Sequence, residues 1–140
     1  MKNEIRIAVT SVGSGIGQSI VNSCRLSRLP IVLTGLDLSA MAYGAYDCDI
    51  QKLVPPVNSP DYLQTVLDIC LAERIDLLIP GLDLELPLIS KHLDMFLKNG
   101  IKVLIAGYDF ITLCRDKVRW SRELHKISKT VVPCFDYADI

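Results

Sequence analysis

The sequence carries no excess of charge of either sign. Fifteen lysines and arginines face sixteen aspartates and glutamates, for a formal net charge of −1. A basic face suited to nucleic acid is therefore not expected, and with half of the residues hydrophobic neither is disorder. No apolar run reaches the roughly 20 residues that cross a bilayer, because Pro, Gly, Asp or Arg interrupts each one. The charged start MKNEIR leads into a strand-like segment rather than the apolar core of a signal peptide. These absences predict a soluble, cytoplasmic protein with neither membrane nor nucleic acid as partner. The five cysteines (Cys24, Cys48, Cys70, Cys114 and Cys134) contain no C-x-x-C pair. Their odd count and wide spacing oppose a disulfide framework or a zinc site, so most are expected as small buried hydrophobes. His92 and His125 have no partner at ligand spacing, and no metal site is expected. Repeats and low-complexity tracts are absent too.

What is there is a regular alternation. The 140 residues make one domain of ordinary size, enough to bury a core. Ile5–Gln18, IRIAVTSVGSGIGQ, is an apolar run that breaks into three glycines and opens an amphipathic segment. Strand, glycine turn and helix in that order let a phosphate or carboxylate approach the amides at a helix N-terminus. Gly13 and Gly15 fit the first two positions of G-x-G-x-x-G, but the third falls on Gln18, with Gly17 one residue early. Further strands are predicted at Pro30–Leu38, Lys52–Val54, Ile75–Pro80 and Lys102–Ala106, the first being Ile5–Val12. Helices are predicted at Ile16–Leu29, from Ser59-Pro60-Asp61 to about Arg74, at Pro87–Asn99 closed by Gly100, and at Tyr108–Ser128 in two pieces. An extended Val131–Phe135 follows. This alternation predicts an α/β fold, a Rossmann-like open parallel sheet with helices on both faces.

In such a sheet, ligands bind where strands end. The loop Ser11–Gln18 is either a ligand cradle or a tight turn. Asp37, about 20 residues beyond the glycine turn, stands where a dinucleotide fold places a ribose-binding acid, or else caps its own loop. In Pro80–Pro87, Pro87 biases Leu86 away from helix, so Asp83 and Glu85 are expected on an extended chain with both carboxylates to one side. There they orient a substrate amine or hydroxyl, or favour the dipole of the next helix. Cys114-Arg115-Asp116-Lys117 opens the last helix, and from spacing alone reads as solvated surface.

The succession GSGIGQ, GLDLS, a tyrosine-rich loop ending in VPP, LLIPGLDLELPLIS and CRDKVRW resembles the N-terminal domain that precedes the nucleotide-binding domain in ATP-grasp enzymes. Within that superfamily it is most similar to carbamoyl-phosphate-synthase-like ligases. The likeness spans nearly the whole chain and is most specific at Pro80–Leu86 and at the Asp116-Lys117 pair. It implies a Rossmann-like pre-ATP-grasp domain at 1–115, and a helix and strand at 116–140 leading into an ATP-grasp domain that this chain lacks. It further implies a wall of an active site, with Gly13, Ser14, Gly15, Asp37, Asp83 and Glu85 on the substrate side. Lys117, and more weakly Arg115, match the basic residues that contact ATP. The chemistry so implied activates a carboxylate as an acyl phosphate and joins it to an amine or similar nucleophile, using ATP and Mg²⁺. Most of the groups for it lie outside this chain, so no catalytic residue and no tightly bound cofactor are expected here. The stretch HKISKTVVP departs from the family, which typically has a glycine turn before its proline.

Two other readings remain open. Thr10–Gly17 nearly fits the T-G-x-x-x-G-x-G of NAD(P)-dependent short-chain dehydrogenases, but Ser11 takes the second position and no tyrosine has a lysine four residues later, so the proton donor of hydride chemistry is missing. A non-catalytic nucleotide-sensing module would use the same glycine turn. Trp120 and Leu124, at helical spacing, are expected to pack. The same apolar face would dock the missing domain, and left bare would favour self-association as a homodimer.

Overall fold

The structure, a computed structural model, describes residues 4–135. Five short strands, β1 (Ile5–Thr10), β2 (Ile31–Asp37), β3 (Ile50–Leu53), β4 (Leu77–Ile79) and β5 (Lys102–Val103), form one sheet in the order β3-β2-β1-β4-β5. Every pairing is parallel, with Ala8 opposite both Thr34 and Leu78. Parallel neighbours need crossovers, and α1 (Gly15–Leu26), α2 (Tyr62–Ala72), α3 (Leu86–Lys91) and α4 (Leu93–Leu97) supply them except between β2 and β3, which a loop with a 3-10 turn at Tyr43–Asp47 joins. The centres of β1 and β2 are buried because the sheet is covered on both faces, and apart from Thr34 they are apolar or glycine. On one face Ile7, Val9 and Leu33 pack with Val21 of α1, and on the other Ala8, Leu36 and Leu78 pack with Tyr62, Val66, Ile89 and Phe96 of α2, α3 and α4. The fold is the Rossmann-like open sheet the alternation predicts.

The chain divides into two compact units, the first running to Ile105 and the second from Ala106. In the second, α5 (Tyr108–Arg115) and α6 (Lys117–His125) meet at Asp116, whose extended backbone (φ −86°, ψ 93°) ends one helix while its carboxylate caps the next, accepting from Arg119 N at 2.9 Å. The division into compact units falls at 105/106, and the expected boundary between 115 and 116 lies inside the second unit. Trp120 packs edge-on against Phe110, the ring centroids 5.8 Å apart. Within the described part of Val131–Phe135 there is no paired strand, and the segment is pinned by Ser121, whose Oγ donates to Val132 O (3.2 Å) and accepts from Cys134 N (3.1 Å).

Some local expectations are corrected. Ser59-Pro60-Asp61 does not start α2; it forms a turn closed by Tyr62 N on Ser59 O (3.2 Å), and Asp61 makes no side-chain cap. A proline's fixed φ suits the second position of a turn as well as a helix start. The helix expected over Pro87–Asn99 breaks at His92 (φ −111°, ψ 24°). There the ring Nδ1 sits 2.9 Å from Leu88 O, the carbonyl that a continuous helix gives to the His92 N–H, which bonds instead to Ile89 O. Gly100 does take the left-handed conformation of a helix end, φ 77°.

Three glycines fix how closely the elements approach the end of β1. A Cβ on Gly17 would lie 2.2 Å from Ser11 O, one on Gly44 2.3 Å from Val12 O, and one on Gly81 2.2 Å from Thr10 O. Ser11 itself turns the chain out of β1 with a left-handed φ of 51°. Gly15 is different, with nothing within 4 Å of the position its Cβ would take. Gly17→Ala, Gly44→Ala and Gly81→Ala are each expected to destabilise by about 1–3 kcal/mol or more through overpacking. Gly15→Ala is expected to be neutral or to stabilise by about 0.4–1 kcal/mol. Denaturant melts of the four variants check this ranking.

Candidate functional site at the carboxyl edge of the sheet

The parallel sheet brings the ends of β1, β2 and β4 to one edge, and with them three of the loops singled out in the sequence. After β1, Ser14 caps α1: its Oγ accepts from Gly17 N at 2.9 Å, and its carbonyl accepts from Gln18 N at 2.9 Å. This leaves the N–H groups of Gly15 and Ile16, the first two of the helix, without an acceptor among the described residues. Gly15 is exposed and borders a groove of about 600 Å³ lined also by Ile16, Ile20, Ile79 and Leu104. The helix N-terminus therefore offers two amides and a partial positive charge beside open space.

Asp37, at the end of β2, is half-buried and turned back on the protein. One oxygen accepts from Gly13 N (2.8 Å) and the other from Ser39 N (3.0 Å). Of its two readings, loop capping is the geometry present, and the contact ties the glycine turn to the β2 loop. Ser14 Oγ in turn donates to Gly81 O at 2.8 Å, joining the same turn to the loop after β4. Gly13, Ser14, Gly15 and Asp37 are thus gathered in one place.

The pair Asp83 and Glu85 is not arranged as expected. The chain from Leu82 to Glu85 is a turn, closed by Glu85 N on Leu82 O (3.2 Å), and Glu85 is already in helical geometry (φ −85°, ψ −20°). Pro87 sits in the first turn of α3, where a helix has no use for its missing N–H, so it does not force Leu86 into extended chain. The two acids consequently part: Asp83 is exposed, and Glu85 is fully buried at 0% exposure. Glu85 Oε1 accepts from Leu82 N (2.8 Å), Gly81 N (3.0 Å) and the Thr10 hydroxyl, and Oε2 accepts from the Tyr62 hydroxyl. Thr10 Oγ1 also accepts from Gly81 N, at 2.9 Å. Four donors around two oxygens compensate a buried carboxylate that has no cation among its described partners. Burial, and then the adjoining Glu85 charge, holds the Tyr62 phenol protonated far above its ordinary range.

Thr10 entered the sequence reading only as the first residue of the dehydrogenase-like pattern, and neither it nor Tyr62 was expected at the site. A hydroxyl ending an apolar strand was a faint signal for Thr10; nothing local marked Tyr62, whose role depends on a partner 23 residues away. In the second unit, Lys117 and Arg115 are exposed, and Lys117 Nζ donates to Cys114 O at 2.9 Å. Among the described residues no three His, Cys, Asp or Glu side chains cluster to hold a metal ion.

A parallel sheet in this order, with a glycine turn after its central strand and a Pro-Gly-x-Asp-x-Glu loop after the next, agrees with the N-terminal pre-ATP-grasp domain that the sequence resembles. Residues 7–104 match the family model described as the PylC-like N-terminal domain, and the chain belongs to that family. No curated protein matches it in sequence. Solved structures share the fold. N5-carboxyaminoimidazole synthetase from Staphylococcus aureus, complexed with ADP, is 16% identical over 92% of this chain and 31% of its own, with a TM-score of 0.61. The biotin carboxylase subunit of pyruvate carboxylase is 21% identical over 97% and 30%, at 0.62. Rhizobium etli pyruvate carboxylase is 17% identical over 93% and 12%, at 0.67. The chain thus spans under a third of the length of each of these enzymes.

The thiols are a mixed set. Cys70 is buried and Cys48 half-buried, and burial pushes their thiols up to about 12 and about 11, whereas Cys134 is exposed. Folded values above the ordinary 9.0 mean that this contribution to stability is complete below 9.0 and lost as pH rises through the folded values; Tyr62 adds to it with the same sign. Melting temperature is expected to fall as pH is raised above 9.0. Alkylation followed by mass spectrometry is expected to label Cys134 first and Cys70 only with global unfolding.

Proposed function

We propose that this chain is the substrate-side N-terminal part of an ATP-grasp ligase that activates a carboxylate as an acyl phosphate and joins it to an amine or similar nucleophile. The observation that carries the reading is a family match over the whole sheet, coincident with a carboxyl edge where the glycine turn, Asp37 and the Pro80–Glu85 loop are bonded together. The finer likeness to carbamoyl-phosphate-synthase-like ligases belongs to the same proposal. In this reading Gly13, Ser14 and Gly15 face the substrate, Asp37 holds the turn in shape, and exposed Asp83 is the carboxylate that orients an amine. Lys117, and secondarily Arg115, meet ATP. ATP with Mg²⁺ would supply the phosphoryl group. Among the described residues no group of three or more His, Cys, Asp or Glu side chains is gathered, and in this reading the ion's ligands come from the rest of the ligase and the phosphates.

The loops that leave β1 to β4, residues 11–18, 38–49, 54–61 and 80–85, contain no lysine, arginine or histidine. Phosphoryl transfer needs cations on the developing charge, so this edge suits the acceptor rather than the triphosphate. The ADP complexed with the Staphylococcus aureus synthetase belongs to that enzyme, and supports the assignment of ATP to this one.

Calorimetric titration of the chain with Mg-ATP, NAD(H) and NADP(H) is the direct check. Weak or absent ATP binding with no dinucleotide binding is expected, whereas micromolar NAD(P) affinity would replace this reading by a dinucleotide-binding domain, and tight Mg-ATP binding by the chain alone by a nucleotide sensor. In the intact ligase, Lys117→Ala is expected to weaken ATP binding without loss of folding. Gly15→Val, which meets open space, is expected to fold normally and lose acceptor turnover; unaltered activity would return the turn to a packing role.

A further inference from the structure

The Glu85 carboxylate has the chemistry of an acid but no access to solvent, and its surroundings suggest a different use. Leu82 N–H and Gly81 C=O are the two ends of one peptide plane, which is rigid and trans. Glu85 Oε1 holds the N–H end at 2.8 Å, and Ser14 Oγ holds the C=O end at 2.8 Å. The same Ser14 Oγ accepts from Gly17 N at 2.9 Å, so the relay ends on the capped first turn of α1. Rotating that plane would take Gly81 O away from Ser14 and disturb the cap. The carboxylate is locked from behind by Tyr62 on Oε2 and from the β1 side by Thr10 on Oε1. Hydrogen bonds in series through one amide polarise each other, so the arrangement gains by being complete.

We infer that Glu85 is a positioning residue: its side chain is the built-in anion of a receptor made by the Gly81 and Leu82 amides with Thr10 and Tyr62, and through the 81–82 peptide and Ser14 it sets the orientation of the Gly15 and Ile16 amides. It does not meet substrate. The functional meaning of those amides rests on the reading proposed above, but the coupling is tested without any ligand, so a failed nucleotide titration leaves it standing and a failed coupling leaves that reading standing.

Amide spectra of the isotope-labelled chain supply the test. In Glu85→Ala the resonances of Gly15, Ile16 and Gly17 are expected to move, although none of them touches Glu85. Formate, which puts a carboxylate back into the vacated receptor, is expected to return them and to raise the melting temperature saturably, while chloride at equal ionic strength does neither. Glu85→Gln keeps an acceptor for Leu82 N and is expected to leave the turn close to its original position. Should Glu85→Ala fail to fold, Tyr62→Phe carries the test, because it removes one hydroxyl on the far side of the carboxylate and keeps the shape of the core. The expected result is a smaller displacement that reaches Gly15 and Ile16. The inference is overturned if the turn resonances stay put in folded Glu85→Ala, if formate fails to return displaced ones, or if the changes in Tyr62→Phe stop at Thr10 and residues 81–85.

Discussion

The structure depends on how tightly the chain is allowed to crowd the end of β1. Three consecutive carbonyls, those of Thr10, Ser11 and Val12, are each approached by a glycine from a different segment: Gly81 after β4, Gly17 in α1 and Gly44 in the loop after β2. At roughly 2.2 Å from a carbonyl oxygen a methyl group has no room, so these contacts exist only because no side chain is there. They bring α1, the β2 loop and the β4 loop to one strand end at main-chain distance. Short hydrogen-bonded links between those loops follow, since Gly13 reaches Asp37 and Ser14 reaches Gly81 directly, without long side chains spanning a gap.

Close approach also creates the problem that Glu85 solves. Packing the β4 loop onto β1 buries the amides of Gly81 and Leu82 with the hydroxyls of Thr10 and Tyr62, all of them donors that lose water. An unpaired buried donor costs about 1–3 kcal/mol, so four of them would undo the burial of the neighbouring apolar residues. One carboxylate answers all four. A lysine or arginine in the same place would add donors where donors are already in excess, which is why the carboxylate's described partners are amides and hydroxyls.

Much of this was legible in the sequence, and the reasons it was or was not are local. The order of strands and helices followed from apolar runs of strand length separated by amphipathic stretches, and the turn at Gly100 from the one residue type that takes φ 77° without strain. Gly17, one place early for the dinucleotide pattern, still performs the close helix-to-strand contact assigned to the third glycine, so its displacement was a change of spacing and not of role. What misled were residues whose local preference has two outcomes. Proline fits a turn or a first helical turn equally, which displaced the start of α2 and made Asp83 and Glu85 look like a pair. The break at His92, where the ring stands at the Leu88 carbonyl, and the role of Tyr62, which comes from a contact between distant segments, leave no mark in spacing.

The charge pattern gives the edge its direction. Its solvent-facing polar groups include the two amides at the start of α1 and the exposed carboxylate of Asp83, while the basic candidates Arg115 and Lys117 belong to the second unit. Two amides at a helix start attract a carboxylate with a fraction of the strength of a cation, and a neighbouring acid opposes a triphosphate, whose charge is several times larger. On the proposed reading, such an edge takes a molecule carrying both an amine and a carboxylate in preference to one carrying only phosphates. In that reading the acceptor role rests on the absence of lysine, arginine and histidine from the loops that leave β1 to β4 and needs no residue of the second unit.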